Sequence, residues 1–438
     1  METSPSSREP GPHADTASGR ERFAWCLYDF ANSAFVTIMI TAFYGRYFTD
    51  VIARGSRAPA TLWGLSIGVA QALVALSSPV LGAIADRSGR KRTLLRVYTL
   101  VNVLACAALG WVEPGMPMAV PLAMLLIVVA DVAFEGGYVF YNAYLPELTR
   151  TDKVGRLSGY GWALGYVGGL GCLVLVTVAG WVPERYDGSS TGQALWIPVA
   201  VAVWFAAFSL PMLTLVRERG AAKGVPRGGY VRQSLGDVAE TFRYLRGNKD
   251  LLKFFLAYLL FTDALETVIT FTGKFTGDAL GFTPQDTIWL FLVLNVVAAP
   301  GAVGFGWVVD RLGGIRSVSL SVVVWVLVVI GSMVVQTKGQ FWPVAVLAAV
   351  GLGATQSASR AVVVRFVPRD QVARVFGMMT VVGRASAIVG PVVYGVVNDT
   401  TGSARLAVGT VGLFLLASLV LLAGIDEGRA LRRAAGEA

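Results

Sequence analysis

Residues 82–92 read Gly-Ala-Ile-Ala-Asp-Arg-Ser-Gly-Arg-Lys-Arg and lie between two apolar runs, each long enough to cross a bilayer. A charged segment this short between two such runs predicts a tight loop that joins two membrane helices. The glycines allow a sharp turn and close backbone approach. The basic cluster indicates the cytoplasmic side of the membrane. The loop residues to which we assign a gating role are Gly82, Asp86, Arg87, Gly89, Arg90 and Lys91.

A weaker copy of this loop lies 224 residues further along the chain, and its gating candidates are Asp310 and Arg311. A second internal match, at an offset of 218 residues, pairs Arg156 with Arg374 and Gly159 with Gly377. Repeated motifs at the same places in each half predict a duplicated membrane protein. Because the basic run of the second copy is shorter, we expect it to contribute less to gating.

The composition excludes a soluble protein. Of the 438 residues, 55% are hydrophobic and 15% charged, and the mean hydropathy is +0.61, whereas soluble domains have about a quarter of their residues charged. The net charge of +9 follows from basic loops rather than from nucleic-acid binding. The three cysteines lie far apart and the single histidine lies in the N-terminal tail, so no metal site, cofactor or catalytic constellation is predicted, and the chain is not expected to be an enzyme.

Twelve apolar runs predict transmembrane helices: 23–48, 61–85, 94–112, 118–142, 157–181, 193–216, 251–277, 287–309, 317–336, 341–366, 373–397 and 405–424. The predicted fold is an all-α membrane protein with twelve transmembrane helices in two six-helix halves. The predicted divisions are a disordered tail 1–22, a first half 23–216, a hydrophilic linker 217–250, a second half 251–424 and a tail 425–438.

Basic residues predict the orientation. The loops on one side contain only five: Arg54, Arg57, Arg185, Lys338 and Arg405. Because lysine and arginine concentrate in cytoplasmic loops, both termini and the central linker are predicted to be cytoplasmic. The tail has no apolar core of a signal peptide, so the first apolar run is expected to remain as an anchor.

Charged residues inside membrane helices are costly and therefore candidates for a transport pathway. On the fourth helix, Asp131, Glu135, Tyr138 and Asn142 form one polar stripe, and on the seventh Asp263, Thr267, Thr270 and Lys274 repeat those intervals. Such stripes are expected to face a water-filled cavity. The substrate or proton-pathway candidates are Asp29, Asn32, Asp131, Glu135, Asp263, Glu266, Gln356, Arg360 and Arg384.

Several of these side chains have two open interpretations. Asp263 and Arg384 are predicted to form an ion pair, either structural or part of a proton-coupling switch. Asp29, about six residues inside its helix, is either a gate or packing residue or a direct substrate contact. The glycines of the fifth helix, Gly161, Gly165 and Gly169, form a small-residue face that is expected to pack between the two halves.

The loop at 82–92 resembles the signature loop of the major facilitator superfamily, whose members line a central cavity with helices 1, 4, 7 and 10. A more specific resemblance is to the vacuole-effluxer-like family, which contains autophagy-linked amino-acid exporters and bacterial members. The stretches that carry it are Trp25-Cys-Leu-Tyr-Asp29-Phe-Ala-Asn32-Ser-Ala, Tyr141-Asn-Ala-Tyr-Leu-Pro-Glu-Leu148, Gly155-Arg-Leu-Ser-Gly159-Tyr-Gly-Trp-Ala-Leu-Gly165, Gln356-Ser-Ala-Ser-Arg360 and Val382-Gly-Arg-Ala-Ser-Ala387. The chain departs from the family where Asp263 precedes Ala264 instead of glycine.

The resemblance implies a secondary transporter that exports amino acids by alternating access. Embedded carboxylates, and the lack of a phosphate-binding loop motif, indicate coupling to protons rather than to ATP. The expected partners are the lipid bilayer, a small solute and protons, with the chain acting as a monomer in the plasma membrane. A drug or sugar-type exporter of the same superfamily and a transport-dead sensor or scaffold remain as alternatives.

Overall fold

The computed structural model describes residues 17–182, 194–219, 243–386 and 389–435. Within them, twelve helices are long and apolar enough to cross a membrane, and the predicted number is confirmed. We number them α1–α12. Their bounds are Gly19–Ala34 continued by the π-helical Phe35–Ala42 (α1), Pro59–Ser88 (α2), Lys91–Leu109 (α3), Ala119–Asn142 (α4), Val154–Val178 (α5), Trp196–Leu215 (α6), Lys249–Leu280 (α7), Pro284–Leu312 (α8), Gly314–Val334 (α9), Lys338–Phe366 (α10), Val372–Ser386 continued by Val389–Thr401 (α11) and Ala404–Ala423 (α12).

The first helix begins at Gly19, four residues before the predicted start, because a capping box fixes its end. The Ser18 hydroxyl accepts the Glu21 N–H at 3.2 Å, and the Glu21 carboxylate accepts the Ser18 N–H at 2.9 Å. Arg219, after α6, donates to both Glu21 oxygens at 2.8 and 2.9 Å. Residues 19–22 are therefore helical rather than disordered, and Asp29 lies ten residues inside α1, deeper than predicted.

A thirteenth helix, which we did not predict, follows α12 at Glu427–Ala434 (α13). Asp250, at the start of α7, accepts from Arg429 at 2.6 and 2.7 Å and from the Asp426 N–H at 3.1 Å. Glu427 accepts from the Gly314 N–H at 2.6 Å, at the start of α9. These contacts place α13 on the face of the bundle where α1 begins and α12 ends, which we call the termini face.

The six-helix sets meet along two helix pairs. Helix α2 packs against α11, and α5 packs against both α8 and α10. The glycine face of α5 lies instead against α1: a Cβ on Gly168 would be 2.0 Å from the Phe30 carbonyl oxygen, and one on Gly161 would be 2.8 Å from the Asp29 carboxylate. The expectation that this face packs between the halves was wrong, because it is used inside the first half. Most of the predicted linker lies outside the described residues, so the domain divisions stay a prediction.

Candidate functional site

The first contact that closes the termini face joins the ends of α2 and α11. Asp86 accepts the Ala373 N–H at 3.1 Å and the Arg374 N–H at 2.9 Å, as the sequence predicts. An anion is favoured there because the first N–H groups of a helix carry partial positive charge. Gly82, one turn earlier, permits the approach, since a Cβ there would lie 2.3 Å from the Ala373 carbonyl oxygen. We call this contact the α2–α11 seal.

The second copy of the motif makes the same contact between α8 and α5. Asp310 accepts the Gly155 N–H at 2.9 Å and the Arg156 N–H at 3.1 Å. It also accepts from Arg156 Nε at 2.8 Å. A Cβ on Gly306 would be 2.7 Å from the Gly155 carbonyl oxygen. This α5–α8 seal has one more close charged contact than the first seal, where Arg374 Nε is 3.7 Å from Asp86. The shorter basic run did not make the contact weaker, as we had expected, because the donors are on α5 and not in the loop.

Both seals continue one turn deeper through glycine. A Cβ on Gly159 of α5 would be 2.4 Å from the Ala302 carbonyl oxygen of α8, and one on Gly377 of α11 would be 2.3 Å from that of Ser78 on α2. A Cβ at such distances forces the backbones apart. The two internal repeats, 218 and 224 residues apart, therefore face each other across the same interface.

The remaining loop candidates lie around the α2–α11 seal. Gly89 ends α2 with a φ of 58°, in the left-handed region that favours glycine. Lys91 donates to Glu147, after α4, at 2.6 Å, and both side chains are largely buried. The other basic candidates are Arg90 and Arg311, which are exposed, and Arg87, whose side chain lies outside the described part of the structure.

A cavity of about 470 Å³ lies between the two sets of helices. Thr41, near the far end of α1, lines it and is exposed. The seals close the termini face, so the cavity opens on the opposite face. Seven of the predicted pathway residues line it: Asp29, Asn32, Glu135, Glu266, Gln356, Arg360 and Arg384.

The base of the cavity is an ion pair between α1 and α10. Arg360 Nη1 and Nη2 lie 3.3 and 3.4 Å from Asp29 Oδ2, with each side chain 4% exposed. Tyr141 donates to the same Asp29 oxygen at 2.8 Å, and Arg360 donates to the Tyr138 hydroxyl. Breaking a buried pair of this kind by removing one charge costs about 3–5 kcal/mol. The pair joins the first six helices to the last six.

Aromatic rings surround the Arg360 guanidinium. Its carbon lies 5.1–5.6 Å from the ring centres of Trp25, Tyr138, Tyr141 and Trp162. Cation–π attraction at these distances helps to compensate the loss of water around a buried charge. Sequence analysis placed Tyr138 on the polar stripe but did not identify the aromatic enclosure, because its members come from three helices whose mutual rotation is fixed only by packing.

Arg384 does not pair with Asp263. Its guanidinium contacts Glu135 of α4, so the second ion pair also joins the two sets of helices, and the predicted Asp263–Arg384 pair was wrong. Asp263 instead accepts the Gly390 N–H at 2.7 Å. Gly390 lies in the first turn of the second segment of α11, where backbone N–H groups have no partner inside the helix.

The two polar stripes differ in how well they were predicted. On α4, Glu135, Tyr138 and Asn142 line the cavity, whereas Asp131 accepts from Gln71 of α2 at 2.7 Å and is buried. On α7, none of the predicted stripe of Asp263, Thr267, Thr270 and Lys274 lines the cavity. The face that does so consists of Tyr258, Thr262 and Glu266, which are spaced at four-residue intervals and are rotated away from the predicted stripe.

The arrangement is suited to moving a solute between the two faces. Polar and charged groups lie at the base of a cavity that is closed on one side only by contacts between the two sets of helices. Among the described residues, no group of three or more His, Cys, Asp or Glu side chains is placed to hold a metal ion. Rocking one set of helices against the other would break both seals and expose the same groups to the termini face.

Comparison with known proteins gives three consistent matches. The family model described as "Vacuole effluxer Atg22 like" matches residues 58–435. The "Uncharacterized MFS-type transporter YxiO" of Bacillus subtilis is 27% identical over 93% of this chain and 95% of its own length, and the "Autophagy-related protein 22" of Kluyveromyces lactis is 24% identical over 90% of this chain and 84% of its own. Among solved structures, the human organic anion transporter MFSD10 (TETRAN) superposes with a TM-score of 0.72 at 14% identity, covering 94% of this chain and 100% of its own.

Proposed function

The chain belongs to the vacuole effluxer Atg22-like family and is a multi-pass transporter of the major facilitator type, and from this premise we propose that it exports amino acids in exchange for protons. The observation that carries the proposal is the buried Asp29–Arg360 pair at the base of a cavity closed at one face. A scaffold without transport activity has no need of buried charges around a water-accessible cavity. Alternating access is the mechanism that such a cavity supports.

Proton coupling is proposed from the two inter-half ion pairs. Asp29 and Glu135 are each held by an arginine from the last six helices. When the halves rock, these contacts must change, and a carboxylate that loses its arginine in a desolvated site favours the protonated form. A proton taken up on one side would be released on the other when the arginine returns. This links proton movement to the same motion that moves the solute.

The direction and the membrane are part of the same proposal. Basic residues concentrate on the termini face, which the positive-inside rule assigns to the cytoplasm. The cavity then opens away from the cytoplasm in this structure, as an exporter must when it releases its solute. We place the chain in the plasma membrane as a monomer.

The alternative within the superfamily is a drug or sugar-type exporter. The aromatic side chains at the cavity, Phe134, Tyr138, Trp162, Tyr166, Tyr258 and Phe376, would suit an amphipathic organic solute. A neutral sugar carries no charge for the ionisable side chains of the lining to meet, whereas an amino acid carries two. We therefore place amino acids first, amphipathic organic solutes second and sugars third.

The test uses purified protein in liposomes with an imposed pH gradient and a panel of labelled amino acids, lipophilic cations and sugars. The proposal expects amino-acid flux that depends on the gradient and is abolished by Asp29→Asn. Glu113→Gln, at an exposed loop position, is the matched control and is expected to transport normally. Gradient-dependent flux of sugars or lipophilic cations without amino acids would reject the substrate, and flux of amino acids that ignores the gradient would reject the coupling.

A further inference from the structure

The charges that line the cavity do not balance. Five ionisable side chains are lining residues: Asp29, Glu135 and Glu266 against Arg360 and Arg384. Both arginines are already in contact with a carboxylate, Asp29 for Arg360 and Glu135 for Arg384. Glu266 therefore remains as an acid that no cation of the lining compensates.

Glu266 makes no hydrogen bond or ion pair with any residue in the described part of the chain. It is half-buried and lines the cavity from α7. A carboxylate in a site shielded from bulk water is costly unless a cation or hydrogen-bond donor meets it. Since the described protein provides neither, the group that meets it must come from the cavity.

The surroundings of Glu266 favour an organic cation. Tyr258 and Thr262 precede it on the same face of α7, so a tyrosine ring and a hydroxyl lie beside the carboxylate. Trp162 also lines the cavity, and its indole Nε1 is buried without a hydrogen-bond partner among the described residues. Tyrosine and tryptophan rings attract ammonium groups through their faces. A carboxylate combined with aromatic rings is a recognition site for a protonated amine.

We propose that Glu266 binds the protonated amine of the transported solute and that the site selects for this amine rather than for a carboxylate. The two arginines cannot take a substrate carboxylate without giving up Asp29 or Glu135, so a free carboxylate on the solute gains little. The expected ligands are amino acids and, at least as tightly, their amides and other primary amines. The inference rests on the proposed function only in taking this cavity as the transport route.

The test is a binding series with one side chain and three charge states. Leucine carries both an amine and a carboxylate, leucinamide carries only the amine, and N-acetylleucine carries only the carboxylate. Binding to the purified wild-type protein would be measured by titration of its thermal stabilisation. We expect leucinamide to bind at least as tightly as leucine, and N-acetylleucine to bind about 10- to 100-fold more weakly than either, the range for a hydrogen bond to a charged group.

The same titrations on Glu266→Gln are expected to weaken leucine and leucinamide by about 10- to 100-fold and to leave N-acetylleucine unchanged. Glu266→Asp should recover part of the affinity, and Glu113→Gln should match the wild type. Equal binding of all three compounds, no binding of any of them, or amine binding that survives in Glu266→Gln would each overturn the inference.

The outcomes also separate this inference from the proposed function. Leucine transport that persists without Glu266 would leave the proposed function standing and reject the role of Glu266. Binding of leucinamide that requires Glu266, with no amino-acid flux in liposomes, would do the reverse. If Glu266 is a proton site only, Glu266→Gln changes the response to the pH gradient but not the order of the three ligands, and the inference fails.

Discussion

Replacing Asp310 by asparagine should open the termini face more readily than the same change at Asp86. The Asp310 carboxylate accepts two backbone N–H groups of α5 at 2.9 and 3.1 Å and Arg156 Nε at 2.8 Å. Asparagine retains one oxygen acceptor, turns an NH₂ group towards donors and removes the charge. At Asp86 the two backbone bonds are similar, but the nearest guanidinium nitrogen is 3.7 Å away.

The size of the effect follows from the interactions that this substitution removes. A carboxylate at a partly buried helix N-terminus contributes up to about 2 kcal/mol. The pair with Arg156, whose side chain is 33% exposed, adds about 0.5–1 kcal/mol after allowance for solvent screening. A total near 3 kcal/mol corresponds to a shift of roughly 100-fold in the equilibrium between the two states. A population that is about 99% closed at the termini face would fall to roughly half closed.

Cysteine labelling measures this shift directly. Cys26, Cys106 and Cys172 are buried, so an introduced thiol gives the main signal. A reporter at Thr41→Cys, in the open part of the cavity, should lose about half of its labelling by a polar maleimide in Asp310→Asn. A reporter at Ser357→Cys, which is 0% exposed beside α5, should gain labelling.

The matched control is Asp286→Asn, which removes a 2.6 Å contact with Lys338 that does not join the two sets of helices. It should leave both reporters unchanged. If Asp310→Asn also leaves both rates unchanged, or if Asp86→Asn has the larger effect, the reasoning about the extra arginine contact is wrong.

Three further predictions concern the interface and the buried acids. Arg360→Lys should reduce transport at least about 10-fold, because lysine cannot contact Asp29 and the surrounding rings with a planar fork, and wild-type flux in liposomes would contradict this. Gly159→Val should hold the α5–α8 seal apart and shift the Thr41→Cys reporter towards low labelling, since even a Cβ would lie 2.4 Å from a carbonyl oxygen; unaltered labelling would show that the seal tolerates a side chain. Asp131→Asn and Asp263→Asn should retain substrate binding, because neither residue lines the cavity, and pH-driven flux that stays intact in both would remove these two acids from the proton pathway.

The sequence predicted the contacts that depend on local pattern. Twelve apolar runs, the repeated loop and the Asp86 contact with the start of α11 all follow from spacing along the chain and from the charge preference of a helix terminus. The boundary of α1 was set four residues too late because the polar capping box at Ser18 and Glu21 looks like part of a tail. Local hydrogen bonding, rather than hydropathy, fixes that end.

The pairing of buried charges was not predictable in the same way. Asp263 and Glu266 are three residues apart on α7, and only helix rotation decides that Glu266 lines the cavity while Asp263 meets the backbone of α11. Arg384 has acids on several helices as possible partners, and its choice of Glu135 depends on how α4 and α11 pack. Side-chain periodicity identifies a face, but it does not determine which neighbouring helix that face meets.

The two seals have a further mechanical consequence. Asp86 belongs to the first set of helices and bonds to the second, whereas Asp310 belongs to the second and bonds to the first. Each seal is therefore a pivot as well as a closure. A chain that retains only one of them would swing open about the surviving contact like a door, instead of rocking symmetrically, and its termini face would admit solutes from one side of the bundle.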